Sequence, residues 1–231
     1  SDLGFIYEGT YKYEDFDKVG DTYTLKRNVP YFSSESNTQP GMPKYADLNG
    51  DGIIDDNDRT MIGNGMPKHT GGFTNNFEYK GFDLSIFFQW SYGNDVLNAN
   101  RLFFENSNKT RDLNQYASYA DRWTPENPES NIPRATDSGS NKVFSTRIIE
   151  DGSFLRLKTV SLGYTLPKQL TKKWKIDNAR VFVAGQNLWT CTGYSGYDPE
   201  VSIREGALTP GLDFSAYPRA YSISFGINLG F

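Results

Sequence analysis

The sequence predicts an all-β, antiparallel transmembrane β-barrel wall, and three observations carry that reading: a strictly alternating terminal run, further runs with the same habit, and connections that alternate between short and long. In the terminal run, Tyr221, Ile223, Phe225, Ile227, Leu229 and Phe231 fall on one side of a strand, and Ser222, Ser224, Gly226, Asn228 and Gly230 on the other. Strand side chains alternate with period two, so one face is oily and the other wet. About 11 residues is the length a tilted strand needs to cross hydrocarbon. Only a closed barrel satisfies a sheet's backbone there. The inner strand of a soluble sandwich alternates in the same way, so the other runs decide the matter.

Taken in order, Leu3 to Tyr13 is a weak strand candidate. From Gly71 to Trp90 the pattern is strong: Phe73, Asn75, Phe77 and Tyr79 alternate with Thr74, Asn76 and Glu78, then Phe82, Leu84, Ile86, Phe88 and Trp90 alternate with Asp83, Ser85 and Gln89. Lys80-Gly81 between them reads as a tight hairpin turn. Phe154 to Leu166 and Ala179 to Thr190 form another pair, joined by a short connection with Pro167, Lys168, Lys172, Lys173 and Lys175. With the terminal run, about six strands are expected, fewer than the roughly 8 of the smallest barrel. The remaining staves are therefore expected from sequence outside this chain.

Long polar stretches occupy Glu14 to Thr70, Ser91 to Ser153 and Cys191 to Tyr217, at the opposite end from the short turns. Outer-membrane barrels have short periplasmic turns and long extracellular loops. That parity puts the three long loops outside the cell and Phe231 in the periplasm. Composition agrees. Aromatics reach 15% of the 231 residues, yet the mean hydropathy of -0.62 is that of a hydrophilic protein. A barrel reconciles the two through its polar interior, wet loops and aromatic girdles.

No apolar run approaches the roughly 20 residues of a membrane helix. Ser1 to Tyr13 lacks a basic start and an apolar core, so a mature product or a piece of a longer chain is expected rather than a secretory leader. The net charge of -4 and the scattering of the 24 Lys and Arg exclude a nucleic-acid partner. Cys191, the single cysteine, reads as a small buried or lipid-facing residue, and His69, the single histidine, as a loop residue without a metal partner.

The run from Asp47 to Asp58 fits a calcium loop, with oxygen donors at positions 1, 3, 5, 9 and 12 and glycine at position 6. A hard dication takes about 6 to 8 oxygens. Asp47, Asn49, Asp51, Asp55 and Asp58 offer side-chain oxygens, Ile53 its carbonyl, and Gly52 the sharp turn. Pro40, Gly41 and Pro43 break any entering helix, so a full helix-loop-helix hand is not expected. An acidic loop of Asx turns without an ion is the plainer alternative. A Ca2+ here would brace the loop, since no nucleophile or general base stands nearby. Enzymatic function is not expected: Glu150-Asp151 is ordinary for a hydrophilic loop, and Gly63-Asn-Gly65 is a weak phosphate cradle. Asn108-Lys-Thr110 matches a glycosylation sequon.

Several segments carry a family resemblance. They are Lys44 to Arg59, Ile62-Gly63, Gly71-Gly72-Phe73, Tyr79 to Leu84, Arg122 to Pro128, Gly152 to Lys158, Leu162 to Pro167, Gly185 to Leu188 and Tyr194 to Glu200. In this order they resemble the C-terminal part of SusC/RagA-type TonB-dependent outer-membrane transporters. The resemblance implies a barrel of about 22 strands with an N-terminal plug. It also implies a SusD-like surface lipoprotein as lid, energy delivered through TonB, import of glycans or peptides, and the outer membrane of a Gram-negative-type bacterium. Residues 1–231 would be one C-terminal barrel segment, without the plug. The final Phe231 resembles the aromatic by which barrel proteins are recognised for assembly. Tyr92, Trp123, Tyr194 and Tyr197 are candidates to stack on substrate, against the simpler roles of girdle or loop packing. The competing class is a soluble, calcium-braced β-sandwich that binds carbohydrate.

Overall fold

A computed structural model describes residues 2–105, 115–135, 143–200, 211–213 and 219–231. The chain forms two compact units. One is a wall built from Met66–Asp95, Asp151–Val201 and Ala216–Phe231. Its five long strands are β1 (His69–Tyr79), β2 (Phe82–Tyr92), β3 (Phe154–Thr165), β4 (Asn178–Thr192) and β5 (Ser222–Gly230), each hydrogen-bonded to the next in chain order. All four pairings are antiparallel. The Lys80-Gly81 turn between β1 and β2 has both residues at positive φ, 45° and 87°. Those signs belong to the turn whose twist matches a tight hairpin.

Register assigns the faces, because directly paired residues point to the same side. Phe88 pairs with Phe73 and Leu157, and Leu84 with Phe77 and Leu162. Val183 pairs with Leu162 and Phe225, and Val181 with Tyr164 and Ile227. The opposite face sets Ser85 against Asn76 and Ser161, and Ala184 against Ser161 and Ser224. Rings reinforce the oily side: Phe73 stacks on Phe88 at 4.9 Å and Phe82 lies 4.6 Å from Tyr164. That side is uncovered, with Phe225 81%, Ile227 67% and Leu229 51% exposed. A sandwich would bury these residues beneath a second sheet. An uncovered apolar face of this kind marks contact with lipid or another protein.

One device keeps β3 in phase. Leu155 and Leu157 occupy odd positions, whereas Val160, Leu162 and Tyr164 occupy even ones, so a regular strand would put them on opposite faces. Pairing with β2 skips Lys158, with Phe87 opposite Thr159 and Phe88 opposite Leu157. This bulge returns both leucines to the oily face. Across the next seam, Asn187 at φ 53° absorbs the matching irregularity in β4.

Two expectations change. Among the described residues the wall has five strands rather than about six, because Leu3 to Tyr13 falls in two short strands, Asp2–Gly4 and Tyr7–Thr10, of the other unit. They pair with Thr60–Gly63 and Pro43–Tyr45, and each ladder carries a register break. His69 opens β1 instead of lying in a loop. It accepts a hydrogen bond at Nδ1 from Trp90 Nε1 (3.2 Å) and stacks on Tyr92 at 5.1 Å.

The second unit comprises Ser1–Gly65, Val96–Glu150 and Ser202–Ser215. Its composition is polar, yet it is organised by small ladders, among them Phe16–Val19 with Thr22–Leu25 and Tyr31–Phe32 parallel to Ile53–Ile54. Apolar clusters hold them: Phe5, Tyr45 and Ile54; Tyr11, Phe16 and Leu25; Leu97, Leu102 and Ile148. Buried Glu105 is paired with Arg147 at 3.0 Å. The Asn108–Thr110 sequon lies outside the described residues.

The oily face makes a directional prediction. In the complete protein, Phe225→Arg should cost about 2–4 kcal/mol of folded-barrel stability, the penalty for a cation near the bilayer midplane. Ser224→Arg, on the opposite face, should cost far less. The gel shift between heated and unheated samples reads the folded fraction; equal losses for the two variants would contradict the face assignment.

Candidate functional site

The acidic loop lies in the second unit, on the chain between Pro43–Tyr45 and Thr60–Gly63. Short polar side chains fold it locally, because Asp and Asn accept from N–H groups a few residues ahead. Asp47 accepts from Gly50 N at 2.8 Å and Gly52 N at 2.7 Å. Asn49 accepts from Asp51 N (3.0 Å), Asp51 from Ile53 N (2.9 Å) and Asp55 from Asn57 N (2.8 Å). Gly50 and Gly52 take φ of 76° and 86°, where a side chain would be strained.

Asp58 differs from the rest. It is fully buried and accepts from Leu48 N (2.7 Å), Asn49 N (3.3 Å) and Asp55 N (2.9 Å). Burial opposes its ionisation, but the three backbone donors outweigh it and hold the carboxyl below the usual carboxylate range. It closes the loop from Leu48 to Asp55. Asp47, Asn49, Asp51, Ile53 and Asp55 remain at the surface or partly so. As placed, no three acidic, His or Cys side chains among the described residues converge tightly enough to hold a metal. The donor chemistry, all oxygen, suits a hard cation. The geometry is that of a self-bonded turn.

The four aromatic candidates separate by exposure. Tyr92 and Tyr197 are exposed. Trp123 is only 3% exposed, packed on Tyr13 at 5.5 Å and on Arg134 at 5.6 Å. A Cβ on Gly41 would meet its ring at 2.4 Å, so that glycine provides the seat. Tyr194 is buried as well. Burial takes Trp123 and Tyr194 out of reach of a stacking ligand. Cys191 lies on the oily face opposite Leu155, exposed.

The wall contains an ionic cluster that strand patterning does not reveal. Buried Arg156 donates through Nε to Thr190 Oγ1 (3.0 Å) and through Nη2 to Asp198 Oδ1 (2.8 Å), and its Nη1 lies 2.6 Å from Glu200 Oε1. Arg219 approaches the same two carboxylates at 3.8 and 3.4 Å. Two cations and two anions thus tie β3, β4, the Tyr194–Glu200 segment and the approach to β5. The legible signal was an arginine between two leucines in an alternating strand. A second pair spans the polar face: Arg180 grips Asp83 at 2.6 and 2.9 Å. It crosses the bare Gly163, where a Cβ would stand 2.2 Å from the guanidinium. Such bidentate pairs are the strong, geometrically specific ones.

An antiparallel five-strand meander with an uncovered oily face and a charged polar face, its short turns alternating with long connections along the chain, defines a transmembrane β-barrel segment. The comparisons name its kind. The chain is 34% identical over 99% of its length to TonB-dependent receptor P3 of Formosa agariphila, of which it covers 22%. It is 39% identical over 83% of its length to receptor P26 of the same organism, covering 20% of it. With the TonB-dependent receptor SusC of Bacteroides thetaiotaomicron it shares 28% identity over 85% of its length, covering 18% of that protein. Among solved structures, the RagAB peptide transporter matches the whole chain with a TM-score of 0.73 at 26% identity, covering 23% of the matched chain. The RagAB peptide importer in its open-open state gives 0.72 at 28%, covering 22%. No family model matches. The chain belongs to the SusC/RagA-type TonB-dependent receptors, which are outer-membrane proteins, and spans about a fifth of the length of the relatives it matches. The named relatives are receptors and transporters rather than enzymes.

Asp58 makes a pH prediction. A carboxyl with a lowered folded value stabilises fully above its unfolded value, and that contribution disappears as pH falls through the folded value. The protection factors of the Leu48, Asn49 and Asp55 amides, each taken against the intrinsic exchange rate at the same pH, should therefore fall on acidification below the ordinary carboxylate range. Asp58→Ala should cost roughly 1–3 kcal/mol of local protection for the orphaned donors. Unchanged protection of these amides in Asp58→Ala would refute the closing role.

Proposed function

We propose that this chain forms the C-terminal wall and outer loops of a TonB-dependent importer that takes up glycans or peptides together with a SusD-like surface lipoprotein. The observation carrying the reading is the five-strand meander with its apolar side uncovered, in a chain that matches receptors and transporters over most of its length. The short connections, at Lys80-Gly81 and between β3 and β4, face the periplasm, and the long ones face outward. That orientation rests on the rule of short periplasmic turns. The plug and the contact with TonB belong to sequence beyond this chain. The segment performs no chemistry of its own. Tyr92 and Tyr197 are the aromatic candidates still available to a substrate.

Disruption of the gene for the complete receptor should abolish uptake of either an oligosaccharide or a peptide class from a labelled panel, and restoration of the gene should recover it. Undiminished uptake across both classes would reject the importer reading. Co-purification of a surface lipoprotein with the tagged receptor checks the partner.

The acidic loop is proposed to bind Ca2+, with Asp47, Asn49, Asp51, Asp55 and the Ile53 carbonyl as donors and Asp58 as the sixth residue of the set. The oxygen-only donor set supports it. Bound calcium would stabilise the native state in proportion to the logarithm of its concentration over Kd, about 2.7 kcal/mol at a hundredfold excess. Chelator should lower the melting temperature and speed proteolysis of the Asp47–Asp58 loop, and Asp51→Ala should erase the difference between calcium and chelator. Identical behaviour of the native protein with and without chelator would leave the loop as Asx turns alone.

A further inference from the structure

We propose that the connection between β3 and β4 docks anionic glycerophospholipid headgroups, its lysines meeting the phosphates and its Leu170 and Trp174 meeting the acyl chains. The inference rests on the membrane placement and orientation proposed above. The segment Pro167–Asp177 is built from a helical turn, Lys168–Thr171, and a 3-10 turn, Lys172–Trp174. It is held in shape: Leu170 N donates to Pro167 O (2.9 Å), Ile176 N to Thr171 O (3.1 Å) and Asp177 N to Gly230 O (2.8 Å), with Thr171 fully buried. Lys168, Lys172, Lys173 and Lys175 are all exposed.

The clustering of four lysines between Lys168 and Lys175 sets this turn apart from the rest of the wall. Arg156, Arg180 and Arg219 each face a carboxylate within 4.0 Å. Among the described residues, none of the four lysines has an ion pair. Lys80, at the other short turn, is also exposed and lies 5.3 Å over the Tyr79 ring. The side-chain carboxylates at this end are Glu78, Asp177 and Asp83, with the α-carboxyl of Phe231 beside them, and Asp83 is taken by Arg180. A net positive rim therefore remains where the oily face ends at Tyr79, Phe82 and Leu229, all exposed.

Trp174, 61% exposed, and Leu170 sit among the lysines. A purely solvated turn has no use for either. Tryptophan at the level of the headgroups has an apolar ring and a polar N–H to satisfy, and lysine reaches along an apolar surface to place its ammonium in the polar layer. Lysine is a point charge suited to a phosphate that moves, whereas a fixed bidentate acceptor favours arginine. A bilayer headgroup is such a mobile phosphate.

The test uses the complete receptor, purified in detergent and titrated with phosphatidylglycerol or with phosphatidylcholine of the same acyl chains, retained lipid being counted by native mass spectrometry. Each lysine near an anionic surface contributes roughly fivefold, so the native protein should prefer phosphatidylglycerol, and the K168Q/K172Q/K173Q/K175Q variant should lose at least tenfold of that preference. The heat-dependent gel shift confirms that the variant is folded. Equal retention of the two lipids by the native protein, or an unaltered preference in the folded variant, overturns the proposal. Displacement of the lipid by millimolar inorganic phosphate would also overturn it, by showing a simple anion site. A separate arm labels Lys172→Cys, in a Cys191→Ser background that removes the native thiol, with a membrane-impermeant maleimide: labelling only after permeabilisation supports the periplasmic setting, and labelling of intact cells sinks the orientation and the inference together. A periplasmic label combined with no lipid preference sinks the inference alone.

Discussion

Hydrocarbon offers a backbone no hydrogen-bond partner, and the wall is organised around that constraint. Each unsatisfied N–H or C=O at membrane depth costs several kcal/mol, so each strand pairs with a neighbour along nearly all of its length, interrupted at Lys158 and Asn187. The same medium requires one face of the sheet to be apolar, which register achieves by stacking Phe, Leu, Ile and Val across all five strands. The bulge at Lys158 follows from it, since without the skipped residue Leu155 and Leu157 would turn to the polar side. Charge is then confined to the opposite face, where Arg180 and Asp83, and Arg156 with Asp198 and Glu200, neutralise one another.

The two units respond to different solvents. The wall shows its apolar residues outward and keeps its polar pairs on the other side. The second unit follows the ordinary aqueous rule, with Phe5, Tyr45 and Ile54 or Tyr11, Phe16 and Leu25 buried and acidic turns at the surface. Its ladders are short because the stabilising elements are clusters of rings, such as Phe5 edge-on to Phe32 at 5.6 Å, and not an extended sheet. Asp58 does in that unit what a core residue does elsewhere: it is sealed from water and organises the chain around it.

What could be read from the sequence was whatever depends on period two. β1, β2 and β5, the Lys80-Gly81 turn and the alternation of short and long connections are all local patterns, and they stand as read. Leu3 to Tyr13 looked like a strand of the same kind and belongs to the second unit, since Gly4 and Gly9 interrupt it and Phe5 is drawn into an aromatic cluster. The Arg156 cluster joins Arg156 to Thr190 and Asp198, 34 and 42 positions away, which no local pattern encodes. Of the aromatic candidates, composition could nominate Trp123 and Tyr194, but burial depends on packing, for Trp123 against Gly41 and Tyr13, far from it in sequence. The acidic loop was legible as a donor set. The engagement of Asp58 with three backbone amides was not, because it requires knowing how the loop closes.

The central claim is that the oily side of this sheet meets lipid. A nitroxide placed in turn at each position from Ser222 to Gly230 of the reconstituted complete receptor measures it directly, by collision with oxygen, which concentrates in hydrocarbon, against a water-soluble nickel complex. The account predicts oxygen maxima at 223, 225, 227 and 229 and nickel maxima at the residues between. Uniform accessibility along the strand, or the opposite phase, would contradict it.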